Sequence, residues 1–429
     1  MLTYALYLLP LLLILGIHLY LRRRRHEIAE SAWTEAKESG LTEPPTLHPV
    51  IDANLCFGSG SCAKACPEEA IGVVDGKGFL VNPAACIGHG ACAAACPIGA
   101  IRLVFGTAKR GVELPLVNPD FESNVPGLFV AGELGGMGLI RKAVEQGKAA
   151  VANIEKKRGR APSGYDLVIV GAGPAGIAAS LSATERKLKY VTLEQEHEIG
   201  GTTAHYPRGK VVMTAPMTLP IVGRVRAYEI SKEKLMELWS GVLEKVRPSI
   251  RFGERVEDLS QDGEEFVVRT SRGEYRARTV LLAIGRRGTP RRLGRPGEEL
   301  PKVVYRLIES EQYRGQAVLV VGGGDSALEA ALACAGEPET RVALSYRGNA
   351  FNRVKEKNRT LVDEASAAGR LRVLLETEVD RIEPGKVVLT GKAGVIELDN
   401  DAVIVCAGGE LPTPMLKRVG ISIEAHYGE

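Results

Sequence analysis

Six of the eight cysteines lie in one short stretch of the chain and form two runs of equal spacing. Each run reads C-x5-C-x3-C-P, the second begins thirty residues after the first, and an Ala-Ile pair follows both. Thiols gathered in this way favour a metal site over a disulfide framework, in which cysteines are spread along the chain. The six candidate ligands are Cys56, Cys62, Cys66, Cys86, Cys92 and Cys96.

The repeated run resembles that of the two-cluster bacterial ferredoxin domain, C-x2-C-x2-C-x3-C-P. In that domain the fourth cysteine of each run binds the cluster of the other run. Transferred residue by residue, the resemblance implies two iron–sulfur clusters with crossed ligand sets. One set is Cys56, Cys62 and Cys96, and the other is Cys86, Cys92 and Cys66.

The sequence departs from the ferredoxin pattern at one equivalent place in each run. Ser59 and His89 stand where that family has its second cysteine, so both are candidate ligands beside three thiolates. Three outcomes stay open: a [4Fe–4S] cluster with an oxygen or nitrogen ligand, one with an exchangeable iron, or a [3Fe–4S] cluster. Imidazole ligation would raise the reduction potential, as in Rieske centres. The alternative is that both side chains only fill vacated space; we favour ligation by His89 and disfavour it for Ser59.

A glycine-rich turn stands between an apolar strand and an Ala-rich helix in the stretch from Tyr165 to Glu194. Its G-x-G-x-x-G spacing allows, in order, a tight turn, approach of a pyrophosphate to the backbone, and close packing of helix on strand. The helix N-terminus favours an anion, and Glu194 ends the next strand, where a carboxylate would accept hydrogen bonds from a ribose. The predicted dinucleotide site contains Gly171, Gly173, Pro174, Ala175, Gly176 and Glu194.

A second turn of the same kind follows the apolar strand at residues 317–321. The next strand ends near arginine rather than a carboxylate. Arginine is a bidentate donor that suits a 2′-phosphate, so the sequence favours NADPH over NADH; the alternative is that these arginines only face water. The candidate residues are Gly322, Gly324, Asp325, Ser326, Arg347 and Arg353.

Two segments resemble the end of the flavin domain of the thioredoxin reductase family, but they occur in the opposite order along this chain. NVPGLFVAGE at 124–133 resembles the family's closing strand and turn, although Glu133 replaces the usual Asp, and 399–424 resembles the segment that directly precedes that piece. The simplest account is a circular permutation: the chain ends meet in space, and the ferredoxin domain is spliced in ahead of the closing piece. The resemblance implies FAD with contacts from Gly132, Glu133, Gly201 and Thr202.

The redox dithiol of the thioredoxin reductase family is missing from this chain. Residues 301–316 contain no cysteine where that family has C-x-x-C, and Cys334 stands alone in a helix. A dithiol relay cannot form, so no disulfide reductase activity is expected. We name no catalytic acid or base, because hydride transfer to a flavin needs none.

The N-terminal segment from Leu2 to Leu21 is uncharged and mostly apolar, and Arg22 to Arg25 follow at once. As a helix it would reach about 30 Å, the thickness of a bilayer core. A cleaved signal peptide is the rival interpretation, but a basic start and a small-x-small cleavage site are both missing. We therefore expect a single-pass anchor in the inner (cytoplasmic) membrane, with the catalytic domains on the cytoplasmic side.

The predicted fold class is α/β, with two Rossmann-like, three-layer nucleotide-binding domains, a small α+β ferredoxin-type domain for two iron–sulfur clusters, and one N-terminal transmembrane helix. A net charge of only +3 argues against nucleic-acid binding. The predicted segments are the anchor at 1–25, a tether at 26–48, the ferredoxin-like domain at 49–107, the FAD closing segment at 111–157, the main FAD part at 164–300, the NAD(P)H domain at 301–395 and the final FAD part at 396–429.

The expected function is that of a membrane-anchored NAD(P)H oxidoreductase that passes electrons between nicotinamide, FAD and two clusters. The expected partner is a cytochrome, a quinone enzyme or a ferredoxin, and the resemblance adds a homodimer as an option. Two alternatives stay open: a redox or iron sensor with flavin and clusters, and a non-catalytic electron-transfer subunit of a membrane complex.

Overall fold

The computed structural model describes residues 2–38, 42–44, 47–108, 110–136, 138–158, 161, 164–206, 211–213, 216–225, 230–286, 290–351, 354–392, 394–409 and 412–428, with the side chains of 2–9, 11, 211 and 213 left out. The chain forms two units. The first contains Met1–Val112, Ala350–Arg359 and His426–Glu429, and the second contains Glu113–Asn349 and Thr360–Ala425.

The first unit is built from short elements. In chain order they are α1 (Leu2–Glu38), β1 (His48–Ile51), α2 (Ser61–Ala65), β2 (Ile71–Val74), β3 (Lys77–Leu80), a 3-10 turn (Pro83–Ala85), α3 (Ala91–Ala94) and β4 (Ile101–Val104). Strands β1 and β4 pair antiparallel, as do β2 and β3.

The predicted duplication is visible in the backbone of this unit. Helix α2 corresponds to α3, and β2 corresponds to β4. Gly60 and Gly90 precede the two helices with φ of 75° and 81°, which an L-residue rarely adopts. Cys62, Ile71, Cys92 and Ile101 form the shared core.

Helix α1 continues past the predicted end of the anchor and packs on the β2–β3 hairpin. Ala29 is buried, and a Cβ added to Gly72 would lie 2.5 Å from the Ala29 Cβ. The Trp33 ring meets Phe79 edge-on at 4.7 Å between centroids. The first part of the predicted tether at 26–48 is therefore a packed helix, because its Ala and Trp side chains have an apolar surface to cover.

Within the described residues, the structure contains no helix that is long and apolar enough to cross a membrane. The side chains at positions 2–9 and 11 of the predicted anchor are not among those described.

The second unit contains a large mixed sheet, a five-stranded parallel sheet and several smaller sheets. Its first and last strands also contribute residues to the first unit. In chain order its elements are β5 (Val112–Pro115), β6 (Leu128–Val130), α4 (Ile140–Arg158), β7 (Tyr165–Val170), α5 (Pro174–Glu185), β8 (Tyr190–Leu193), β9 (Val211–Met213), β10 (Met217–Leu219), β11 (Gly223–Val225), β12 (Ile230–Ser231), α6 (Lys232–Val246), β13 (Ile250–Arg251), β14 (Val256–Asp262), β15 (Glu265–Thr270), β16 (Glu274–Leu282), β17 (Val303–Val304), β18 (Ala317–Val321), α7 (Asp325–Ala335), β19 (Arg341–Tyr346), α8 (Glu356–Ala367), β20 (Leu371–Leu375), β21 (Thr377–Glu383), β22 (Lys386–Gly391), β23 (Gly394–Asp399), β24 (Ala402–Val405), α9 (Thr413–Arg418) and β25 (Ile423–His426). Single-turn 3-10 helices lie at Glu133–Gly135, Gly201–His205 and Ser310–Tyr313.

The first dinucleotide turn belongs to a seven-stranded sheet with the order β13-β8-β7-β16-β15-β14. Strand β6 joins it by pairing parallel with β16, with Leu128 opposite Val280. Strand β6, which follows the ferredoxin-like segment in the sequence, thus belongs to the same sheet as β7 and β16, as the permuted order requires. Its three residues are buried because apolar side chains cover both faces of a parallel sheet.

The end of the chain returns to the region that follows the ferredoxin segment. Strand β25 pairs with β5, Leu116 N donates to Ser422 O at 2.8 Å, and Asn124 Nδ2 donates to Gly420 O at 2.8 Å. The segment 420–426 therefore lies beside residues 112–124, which follow the ferredoxin-like segment.

The second dinucleotide turn belongs to a five-stranded parallel sheet with the order β17-β24-β18-β19-β20. Strand β24 lies beside β18, with Val403 opposite Leu319. This pairing corrects the predicted boundary at 395/396, because residues 402–405 belong to the nicotinamide sheet and not to the final FAD part. The later residues Leu416 and Ile421 do pack in the flavin core with Val168.

Candidate functional site

The structure brings the six clustered cysteines together in two groups of three. A Cβ added to Gly78 would lie 3.4 Å from the Sγ of Cys62 and 3.7 Å from that of Cys56, and the charge of Cys96 also acts on Cys62. In the other group, Cys86 and Cys66 lie close enough to Cys92 for their charges to raise the pKa of its thiol. This grouping of the thiols is the one that the ferredoxin resemblance implies, and the binding of iron by them stays a prediction.

Burial controls the chemistry of these thiols. It raises the pKa of Cys62 and Cys86, and it raises the pKa of Cys92 to about 11. A buried thiolate therefore needs a nearby positive charge. Iron supplies such a charge, so the donor set fits a cluster better than it fits free thiolates.

Backbone donors already point at two of the sulfur atoms. Gly78 N donates to the Sγ of Cys56 at 3.3 Å, and Ala100 N donates to the Sγ of Cys96 at 3.3 Å. Hydrogen bonds of this kind stabilise negative charge on sulfur and raise the potential of a bound cluster. No group of three His, Cys, Asp or Glu among the described residues is arranged around a single ion. Each thiolate of a cluster binds a different iron, which spreads the sulfurs farther apart.

His89 and Ser59 occupy different surroundings although they are equivalent in the repeat. His89 lines a pocket together with Cys66, Cys86 and Cys92. Ser59 is exposed, and its Oγ accepts from Ser61 N at 3.4 Å. His89 thus shares a pocket with three cysteines, whereas Ser59 lies in a surface turn.

The first dinucleotide turn has the close contacts that its glycines predict. A Cβ on Gly176 would lie 1.8 Å from Gly171 O, and Gly171 itself has φ of 100°. The nearest atom to a Cβ on Gly173 would be 4.0 Å away, at Gly200 O, which leaves room over the backbone for a ligand. Pro174 and Ala175 begin α5. The turn therefore fits the pyrophosphate of a dinucleotide.

Glu194 is held at the end of β8 by two backbone donors. Its Oε2 accepts from Ala172 N at 2.6 Å and its Oε1 accepts from Glu196 N at 2.9 Å. Burial raises the pKa of this carboxyl, and the two hydrogen bonds act against that effect. Each oxygen keeps a further lone pair, so the carboxylate could accept from ribose hydroxyls.

The closing segment reaches the same turn from its distant place in the sequence. Gly132 has φ of 83°, and a Cβ there would lie 3.0 Å from the Ala175 Cβ. Gly201 approaches from the other loop, with Gly173 Cα at 3.2 Å from its added Cβ, and Thr202 is half-buried beside it. The predicted FAD residues of three separate segments thus surround one turn.

Two residues of this site were not singled out by sequence reasoning. Half-buried Arg286 is close enough to Glu133 for their charges to interact, and its Nη2 donates to Glu113 O at 3.0 Å. Burial lowers its pKa, against the effect of the two glutamates. Gly147 brings α4 onto α5. Arg286 begins a stretch at 286–295 that is rich in arginine, a composition typical of a solvated face, and Gly147 is a single glycine inside a helix.

The second dinucleotide turn is formed by Gly322 to Gly324 at the end of β18. A Cβ on Gly322 would lie 2.4 Å from Cys406 O, and a Cβ on Gly323 would lie 2.2 Å from the Tyr346 ring. Asp325 and Ser326 are the first two residues of α7. The Tyr346 ring therefore covers the turn, a contact that no spacing in the sequence indicates.

Of the two arginines proposed for the 2′-phosphate, the described part of the chain includes only Arg347. Arg347 directly follows β19 and is exposed. Arg353 lies outside the described residues. Cys334 is buried in α7, and burial raises its pKa to about 12, which makes it a poor nucleophile.

A chain with two dinucleotide turns, each after a strand with parallel neighbours, and with two clusters of three cysteines in a ferredoxin-type unit defines a flavin- and nicotinamide-dependent oxidoreductase with an iron–sulfur domain. Residues 168–427 match the family described as pyridine nucleotide-disulphide oxidoreductase, and residues 48–97 match the 4Fe-4S dicluster domain. The chain belongs to the pyridine nucleotide-disulphide oxidoreductase family. The FAD-dependent NAD(P)H oxidoreductase class predicted from sequence is confirmed.

The chain aligns with most of the length of several curated relatives. The ferredoxin–NADP reductase of Thermus thermophilus is 33% identical over 60% of this chain and 77% of its own. That of Ignicoccus hospitalis is 30% identical over 60% of this chain and 82% of its own. Bacillithiol disulfide reductase Bdr from Staphylococcus aureus has the same fold over 61% of this chain and 81% of its own, with TM-score 0.54 and 22% identity.

Proposed function

We propose that this chain transfers electrons between NADPH, FAD and two iron–sulfur clusters, and onward to a one-electron carrier. The observation that supports this proposal most directly is the pairing of β6 with β16. The segment that leaves the last cluster-ligand run continues into a strand of the flavin sheet, so one chain supplies the sites of all three cofactors. The relatives are named for ferredoxin as a partner; here a ferredoxin-type unit is part of the enzyme.

In this proposal the cofactors supply the redox chemistry and the residues hold them. Gly171, Gly173 and Gly176 keep the backbone open to the FAD pyrophosphate, and Glu194 accepts hydrogen bonds from the ribose. Glu133 and Arg286 place one negative and one positive group at the flavin end of the closing segment. The six cysteines carry the clusters.

The nicotinamide is proposed to be NADPH. Strand β19 ends without a carboxylate and is followed by the exposed guanidinium of Arg347. A guanidinium binds phosphate through charge-assisted hydrogen bonds, whereas a ribose 2′-hydroxyl prefers a carboxylate.

We further propose that the apolar segment at 2–21, followed by Arg22 to Arg25, anchors the enzyme to the cytoplasmic membrane. The onward partner would then be a membrane-associated cytochrome, a quinone enzyme or a ferredoxin. A homodimer, implied by the resemblance alone, stays a prediction. Disulfide reduction is not part of the proposal, since the 301–316 segment has no cysteine.

Anaerobic titration with NADPH tests the proposed route. Flavin bleaching followed by reduced-cluster EPR signals is the expected result. Loss of the cluster signals in a Cys62→Ser, Cys92→Ser variant that still bleaches its flavin would show that the electrons end on iron. Flavin bleaching without any cluster reduction in the wild-type protein would refute the route.

A sensor without turnover is the second candidate, favoured by the three-thiolate ligand sets. Steady-state NADPH oxidation with ferricyanide separates the two. An enzyme sustains many turnovers, whereas a sensor stops after its own cofactors are reduced.

A further inference from the structure

The duplication allows the two cluster sites to be compared at equivalent positions. Each site has three cysteines, and each lacks the fourth at the same place in its run. Any difference between Ser59 and His89 in the structure therefore reports a difference between the two sites. The comparison rests on the proposed function only in assuming that both thiol groups bind clusters.

At the second site the replacement residue lines the same pocket as the three cysteines. His89, Cys66, Cys86 and Cys92 line one pocket, and Glu68 lines it as well. Neighbouring Gly88 is buried, and a Cβ there would lie 2.4 Å from Leu47 O, so the loop that carries His89 is fixed against the body of the unit. Neutral imidazole is a good ligand for iron, and one histidine and three cysteines line this pocket.

At the first site the replacement side chain faces solvent. The Ser59 hydroxyl is hydrogen-bonded to Ser61, at 3.3 Å between the two Oγ atoms and 3.4 Å from Ser61 N. Its neighbours Leu55 and Phe57 are 56% and 63% exposed, whereas the equivalent residues of the second run are half-buried. A neutral serine hydroxyl is a weak ligand, and this one already belongs to a local turn.

We propose that the two clusters are chemically unlike. The second is a [4Fe–4S] cluster with Cys66, Cys86, Cys92 and His89 as four protein ligands. The first has Cys56, Cys62 and Cys96 as its only protein ligands, so one of its irons is bound to solvent and exchanges. On mild oxidation [4Fe–4S]2+ at the first site releases Fe2+, gives one electron to an added oxidant such as ferricyanide, and becomes [3Fe–4S]+. The second cluster keeps all its iron under the same conditions.

The test uses the full chain, loaded anaerobically with iron and sulfide, and needs no NADPH. After limited ferricyanide oxidation and removal of released iron, the wild-type protein is expected to fall from about eight to about seven irons. EPR should show about one [3Fe–4S]+ spin per chain. Loss of iron from both sites to equal extents would overturn the proposal, as would loss from neither.

Four substitutions assign the behaviour to residues. Ser59→Cys should abolish the [3Fe–4S]+ signal by supplying a fourth thiolate, while Ser59→Ala should leave it unchanged. His89→Ala should raise the signal to about two spins per chain, and the nitrogen coupling seen by pulsed EPR on the reduced second cluster should vanish. Glu68→Gln, in the same pocket, should retain both iron and nitrogen coupling.

With these variants the proposal can still be tested if one of them does not fold. If His89→Ala fails to bind any iron, Ser59→Cys and the wild-type nitrogen coupling still decide the case. A Ser59→Ala variant that alters the iron loss, or a Glu68→Gln variant that destabilises the second cluster while His89→Ala does not, would refute the ligand assignment. Absence of clusters from the wild-type chain would instead refute the proposed function.

Discussion

The approach of α4 to α5 at Gly147 gives a direct test of how the permuted segment serves the flavin site. A Cβ at this position would lie 2.1 Å from Ala175 O and 2.9 Å from Ala175 C. Ordinary contacts begin at 3.4 Å, and these neighbours are backbone atoms that cannot rotate away. Gly147→Ala must therefore move the two helices apart locally by about 1 Å.

The magnitude follows from two opposing effects. Alanine in a helix interior is favoured over glycine by about 1 kcal/mol, and overpacking costs about 1–3 kcal/mol. The larger effect is on the cofactor, because Ala175 is part of the phosphate turn. A misplaced turn should weaken FAD binding by about tenfold or more, since loss of about 1.4 kcal/mol is a factor of ten.

Gly241→Ala is the matched control. Gly241 also lies inside a helix, α6, but no atom lies within 4 Å of its added Cβ. This change should raise the melting temperature by about 2–4 °C and leave FAD binding as it is. The assay is FAD retention and affinity by flavin fluorescence, with thermal melting of apo and loaded protein. If Gly147→Ala binds FAD like the wild type and melts higher, as Gly241→Ala should, the argument from helix contact is wrong.

Three further outcomes are expected. Arg347→Glu should lower kcat/KM for NADPH by about 10–100-fold, the worth of a charged hydrogen bond, and change that for NADH little; equal losses with both nucleotides would contradict a role at the 2′-phosphate. Burial and the charge of Arg306 lower the pKa of His205 below its usual 6.5, so the unfolded chain holds that proton more tightly and stability should fall as pH drops below 6.5. In urea melts His205→Asn should reduce this acid sensitivity, and an unchanged pH slope would count against it. Gly78→Val should cost about half of the bound iron, because its side chain would enter the space beside Cys56 and Cys62; retention of all iron by metal analysis would show that the space is not the cluster's.

Features with a local chemical signature were predicted well from the sequence. The equal spacing of the cysteine runs predicted the duplication, and the structure repeats α2 as α3 with the same positive φ at Gly60 and Gly90. The glycine spacing of the first turn predicted its contacts, since Gly176 and Gly171 are near neighbours in the chain. These predictions succeed because the residues that interact are close in sequence.

The errors come from contacts between distant segments. The resemblance predicts that residues 396–429 belong to the flavin part, yet the pairing of β24 with β18 places residues 402–405 in the nicotinamide sheet. The apolar sequence of a strand does not determine which sheet it joins. The packing of α1 on β2, the contact of Gly147 with Ala175 and the cover of Tyr346 over Gly323 have the same cause. Each depends on a surface that is formed only when other segments have folded.

The position of β6 also affects how the protein is made. During synthesis Leu128 to Val130 leave the ribosome long before Val280, the residue that lies opposite Leu128 in the finished sheet. A nascent chain thus carries a strand that is buried in the native protein and that has no neighbour to pair with yet. Such a strand is open to aggregation, so efficient production should depend on chaperones that shield it until translation of the flavin sheet is complete.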